Sequence, residues 1–166
     1  MTISLRPATV DDAEAVMLLH LRCHEEAYAR LLPEEFFIQR RATLADRVGR
    51  MRETIAAGPV PTLAFDGEGL MGIVNSGPAR DEDAPAGLEL YMIYTLARTH
   101  GSGAGQALLD AAVGDAAAFL WVLQDNPRAQ AFYARNGFVM DGSRNLLPPS
   151  WHELPEVRMV RAGVAA

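Results

Sequence analysis

Glu89-Leu90-Tyr91-Met92-Ile93-Tyr94, followed shortly by His100-Gly101-Ser102-Gly103-Ala104-Gly105-Gln106-Ala107-Leu108-Leu109, is the stretch on which the fold turns. Leu88 to Leu96 is strand-like, and Gly103 to Ala117 is helix-like, with Ala107, Leu108 and Ala111 on one apolar face. Between them glycines alternate at positions 101, 103 and 105. Glycine accepts positive φ and lets an anion approach the backbone, while the helix start behind it offers unpaired N–H groups and the positive end of its dipole. The loop therefore suits a phosphate or pyrophosphate; taken alone, it is also compatible with a tight ligand-free turn. The dinucleotide pattern fails, because its third glycine would fall on Gln106. A lysine-based phosphate loop fails too, since all fifteen basic residues are arginine.

Working outward, Ile3-Ser4-Leu5-Arg6 reads as a first strand closed by Pro7. Thr9 or Asp11 caps a helix whose apolar stripe is Ala13, Val16, Met17 and Leu21. A second helical stretch runs from Pro33 to Ala57 and stops at Gly58-Pro59. Thr62 to Phe65 and Leu70 to Val74, joined by Asp66-Gly67-Glu68-Gly69, form a hairpin pattern, and Arg80 to Ala86 is a charged loop. Phe119 to Leu123 is strand-like, Ala129 to Arg135 helical, and strand pieces follow at Phe138-Val139-Met140 and Val157 to Val160. Hairpins first and a strand-helix-strand crossover later imply one α/β domain over residues 1–166, its mixed sheet locally parallel at the centre.

Composition narrows the classes. The chain has 166 residues, 49% apolar and 22% charged, enough for a single buried core. No apolar run approaches the roughly 18 residues that span a bilayer, and Met1 to Thr9 lacks the apolar core of a secretory signal. A net charge of −6 argues against nucleic acid as a partner. Cys23 is the only cysteine, so no internal disulfide forms and a reducing cytoplasm is expected. Its surroundings hold no histidine-acid arrangement, which makes it a structural thiol. The histidines at 20, 24, 100 and 152 show no metal-ligand spacing, so no metal is expected.

A second informative block is Asn126-Pro127-Arg128-Ala129-Gln130-Ala131-Phe132-Tyr133-Ala134-Arg135-Asn136-Gly137-Phe138. Asn126 suits a helix cap, Pro127 the first turn and Gly137 the stop. Together the two blocks resemble the GNAT superfamily of N-acetyltransferases. That family carries arginine or glutamine, two residues, glycine, one residue, then glycine or alanine at its pyrophosphate loop. Its later block, Asn-x-x-Ala-x-x-Phe-Tyr-x-x-x-Gly-Phe, is matched at every named position from Asn126 to Phe138. The likeness is strongest from about residue 87 to 140, and Tyr28 to Arg41 is similar to small polyamine-acetylating members. One frame of the loop motif uses Gly103 and Gly105 and puts His100 where arginine or glutamine is usual. The other uses Arg98, Gly101 and Gly103, which fits literally but places the helix start less well.

The resemblance implies a mostly antiparallel central sheet with a parallel pair at its centre, flanked by helices. It further implies acetyl-CoA as cofactor, a small-molecule or peptide amine as acceptor, direct transfer in a ternary complex, and pairing as dimers. Carried over residue by residue, Ile93, Tyr94 and Thr95 would hold the pantetheine arm and the thioester carbonyl. His100, Gly101, Ser102, Gly103, Ala104, Gly105 and Gln106 would take the pyrophosphate, and Asn126 and Ala129 would line the cofactor. Tyr133, a phenol of pKa about 10, would be the general acid, with a core tyrosine as the plain alternative. Glu89 would be the base, directly or through water, against the alternative of a solvated strand-end glutamate. His24, Glu25, Glu26, Tyr28, Trp151 and His152 are candidates to shape the acceptor pocket, although His24 and His152 also read as surface residues. The loop Asp81-Glu82-Asp83 leans toward a cationic acceptor. A CoA-binding sensor without catalysis would carry the same motifs.

Overall fold

The computed structural model describes residues 2–163. In chain order the elements are β1 (Ser4–Pro7), α1 (Ala13–Tyr28), α2 (Glu34–Ala42), α3 (Leu44–Ala57), β2 (Thr62–Asp66), β3 (Gly69–Pro78), β4 (Leu88–Thr95), α4 (Ala104–Val113), β5 (Ala118–Leu123), α5 (Pro127–Arg135), β6 (Val139–Leu146) and β7 (Pro155–Arg161). The strands form a seven-stranded sheet in the order β1-β2-β3-β4-β5-β7-β6. β4 and β5 run parallel, with Glu89 opposite Phe119 and Leu90 opposite Leu120. Parallel neighbours cannot be joined by a hairpin, and α4 is the crossover between them. The expected mixed sheet, mostly antiparallel with a parallel pair at its centre, is the one found. The residues group into two compact units, Met1–Asn75 with Met92–Ala112 and Ser76–Tyr91 with Val113–Ala166.

In the first unit β1 pairs antiparallel with β2, and β2 with β3. α1 buries Ala13, Val16, Met17 and Leu19, which belong to one core with Leu63 of β2 and Ile73 of β3. Pro33 to Ala57 is not one helix. It breaks at Thr43, whose φ of −99° and ψ of 16° leave the helical range. The Thr43 hydroxyl joins its own amide on the Gln39 carbonyl, at 2.9 and 3.0 Å, a back-bond of the kind that bends helices. Leu44 starts a new helix that brings Arg47 into the bundle.

Gly72 of β3 is required by packing. A Cβ there would stand 2.9 Å from Leu108 Cδ1, 3.0 Å from the Tyr94 carbonyl oxygen and 3.1 Å from Thr95 Cγ2. The absent side chain lets α4 and the end of β4 lie against β3, which sets the glycine loop between them. Gly72→Ala is expected to lower stability by about 1–3 kcal/mol, the range for overpacking, because backbone must shift. Urea unfolding checks this, and an unchanged midpoint would contradict it.

In the second unit β5 pairs antiparallel with β7 from Ala118 opposite Arg161 to Leu123 opposite Glu156, and β7 pairs with β6. Phe119, Leu120, Phe138, Val157 and Met159 are buried. β6 runs on to Leu146, well past the Met140 at which its apolar pattern ends. Its continuation is held by main-chain pairing to β7, which sequence periodicity does not register. α4 ends at Val113, short of the Ala117 expected, because Gly114 turns the chain with φ of 50°.

Candidate active site

The glycine loop lies in the first unit. A single helical turn at Ala97–Thr99 leads into it from β4. That approach is pinned twice. The Ala97 N–H donates to Glu26 of α1 at 2.7 Å, and Arg98 grips Asp66 with N–O distances of 2.6 and 3.2 Å. With Arg98 spent on Asp66 and α4 starting at Ala104, the frame on Gly103 and Gly105 is the one the geometry favours.

Gly101 and Gly103 have φ of +82° and +91°, a region that side chains rarely enter, and no atom stands within 4 Å of where a Cβ would be. The Ser102 hydroxyl accepts from the Ala104 N–H at 3.2 Å and so caps α4. Among the described residues the amides of Gly101, Gly103 and Gly105 have no acceptor, as expected for a turn feeding a helix N-terminus. Three free donors in one loop at the positive end of a helix suit a phosphate or diphosphate anion. Ile93, Tyr94 and Thr95 are half-buried on β4, and His100 and Gln106 are exposed at the loop.

The second unit holds the other group. Asn126 caps α5, its Oδ1 accepting from the Ala129 N–H at 3.1 Å. The Tyr133 ring is buried, edge-on to Phe132 at 5.4 Å and to Phe138 at 5.9 Å. Glu89 is a buried carboxylate, not a solvated strand end. Arg80 takes both of its oxygens, through Nη2 at 2.6 Å and Nε at 3.1 Å, and the Arg80 amide adds a third bond at 3.0 Å. A base role for Glu89 therefore requires the Arg80 side chain, 63% exposed, to swing out.

A model of the acetyltransferase (GNAT) family matches residues 14–138. The chain belongs to the GNAT acetyltransferase family. Solved structures share the GNAT fold from end to end. The PaiA N-acetyltransferase of Thermoplasma acidophilum, in complex with coenzyme A, is 17% identical, with a TM-score of 0.71 over 98% of this chain and 99% of that one. A GCN5-related N-acetyltransferase of Rhodopseudomonas palustris is 21% identical, with a TM-score of 0.73 over 98% and 96%. Uncharacterized N-acetyltransferases of Mycobacterium tuberculosis and Mycobacterium bovis are 39% identical over 72 residues, 40% of this chain and 46% of theirs. The chain thus spans about half the length of these relatives.

Residues outside the two GNAT motifs also bring ionisable groups into the fold. His20, His24 and Tyr28 lie on one face of α1 at four-residue spacing, and Tyr94 of β4 packs edge-on to His20 at 5.1 Å and to His24 at 4.9 Å. His24 is not a surface residue as expected, being only 2% exposed, whereas His152 is exposed. Burial, then Arg47 and Arg40, depress the His20 pKa to about 3; burial, then His20 and the same arginines, depress that of His24 to about 2. Sequence reasoning missed Arg40 and Arg47, because Pro33 to Ala57 reads as one continuous helix, and it named His20 only among the histidines without metal-ligand spacing. The Cys23 thiol is buried and pushed up to about 12, chiefly by that burial, which suits a structural thiol. Among the described residues no helix is long and apolar enough to cross a membrane.

Proposed function

We propose that this GNAT chain moves the acetyl group of acetyl-CoA to a primary amine by direct transfer in a ternary complex. The observation that carries the proposal is the glycine loop, where the Gly101, Gly103 and Gly105 amides have no acceptor among the described residues and open space stands where a side chain would be at Gly101 and Gly103. Bound acetyl-CoA supplies an activated acyl thioester. The amides of Gly101, Gly103 and Gly105 hold its diphosphate, and His100, Ser102, Ala104 and Gln106 complete that loop. The backbone of Ile93, Tyr94 and Thr95 orients the pantetheine arm and donates to the carbonyl oxygen. Asn126 and Ala129 line the cofactor. The acceptor nitrogen gains the acetyl carbon and loses a proton, which Glu89 takes once Arg80 has swung out, or which water takes. Tyr133 Oη gives a proton to the departing sulfur. Direct transfer is favoured because Cys23, the one thiol, is buried and held protonated.

Incubation with acetyl-CoA, a panel of primary amines and a thiol reagent tests the proposal. Release of CoA above background is expected for at least one amine; bound CoA with no release for any amine would make the chain a sensor instead. Protonated His100 adds a positive charge beside the diphosphate, so CoA affinity should fall about two- to fivefold as pH rises from 5.5 to 8, the worth of an exposed ion pair. Equal dissociation constants at the two pH values would remove that role. A reducing cytoplasm fits the single buried thiol. A homodimer is proposed because edge strand β6 exposes Val139, Met140 and Leu146 at 66%, 53% and 59%. Light scattering should give twice the chain mass, and the monomer mass would refute the dimer.

A further inference from the structure

Four basic side chains converge on β4 in the first unit from three different helices. His20 and His24 come from α1, Arg40 from the last turn of α2 and Arg47 from the first turn of α3. The arginines act electrostatically on both imidazoles, Arg47 acts on Arg40, and both arginines interact with Tyr94. Arg40 is oriented by stacking over the Phe36 ring at 4.4 Å. Tyr28 shares a side-chain hydrogen bond with Tyr94.

Two members of this cluster lack partners. Arg47 Nη1 and His20 Nε2 are buried with no hydrogen bond, and Arg47 makes no ion pair among the described residues. The carboxylates one would look to on α1 are spent: Glu25 pairs with Arg41, and Glu26 takes Arg22 and the Ala97 amide. An unpaired buried guanidinium nitrogen beside two imidazoles is costly unless something completes it. A guanidinium fork matches a planar or tetrahedral oxyanion best.

We propose that the acceptor amine carries an oxyanion, a carboxylate or a phosphate, which Arg47 and Arg40 hold at this cluster with His20 beside it. This rests on the reading of Ile93–Thr95 as the strand that presents the acetyl group, and it names the substrate class of that site. The lean of Asp81-Glu82-Asp83 toward a cationic acceptor loses its basis in the second unit. Arg158 Nη1 lies 3.1 Å from Asp83 and 3.4 Å from Asp81, and the Trp121 indole N–H donates to Asp81 at 2.9 Å, so those charges are already matched.

Matched acceptor pairs test the proposal: free L-amino acids against their α-amides, and 2-aminoethyl phosphate against ethanolamine, each with acetyl-CoA. The charged member of at least one pair should have a kcat/KM tenfold or more above its neutral counterpart, and which pair responds identifies carboxylate or phosphate. Arg47→Gln should erase that preference mainly through KM, Arg47→Lys should restore part of it, and CoA affinity by calorimetry should stay within twofold in both. Neutral members used as well as charged ones, or a preference that survives Arg47→Gln, overturns the proposal while leaving acetyl transfer standing. Absence of CoA binding to the unaltered chain overturns both.

Discussion

Arg158→Met is expected to destabilise the chain by about 3 kcal/mol, the lower end for removing one partner of a buried ionic cluster. The Arg158 side chain is 6% exposed on β7. Its Nε donates to Asp141 at 2.7 Å, while Nη1 and Nη2 reach Asp83 at 3.1 and 3.2 Å and Nη2 also donates to the Ser143 hydroxyl at 2.8 Å. The guanidinium lies 5.5 Å from the Trp121 ring centre as well. Methionine fills much of the volume but leaves Asp141 and Asp81, each with a side chain 23% exposed, without their cation. Partial exposure lets water take up some of the loss, which keeps the figure low in its range. Urea unfolding of the variant measures it, with Arg158→Lys as the control that keeps the charge but loses the fork. A loss below about 0.5 kcal/mol, the scale of an ordinary surface change, would contradict the assignment.

Tyr133→Phe should lower kcat at least tenfold, since a positioned general acid contributes about a hundredfold or more. The ring sits between Phe132 and Phe138, and those apolar contacts persist when only the hydroxyl is removed. Folding and CoA affinity should therefore hold, so that the loss falls on turnover. Unchanged turnover would clear Tyr133 of proton transfer and leave it a core residue.

The two motifs were legible because each is local. Glycines at 101, 103 and 105 punctuate a strand and a helix, and Asn126, Pro127 and Gly137 mark both ends of α5, so neighbours in sequence are enough to read them. The parallel β4–β5 pair followed from the crossover alone. Other features depend on distant partners. Arg158 meets Asp83 across 75 residues, and no periodicity links them. Whether Glu89 was a base or a solvated strand end stayed open in the sequence, because Arg80, which closes over it, belongs to a loop whose path local sequence does not set. His24 looked exposed because a polar residue on α1 reads as surface until Tyr94 of β4 is known to pack on it. The break at Thr43 was hidden because a threonine inside an otherwise helical stretch reads as helix, and only its backbone angles mark the bend.

The most direct trial of diphosphate binding by main-chain amides is a titration of the nitrogen-15-labelled chain with CoA, following the Gly101, Gly103 and Gly105 amide resonances. All three should shift together and saturate at one CoA per chain. If they stay fixed while resonances elsewhere saturate, or if no resonance moves at all, the cofactor is not held at this loop.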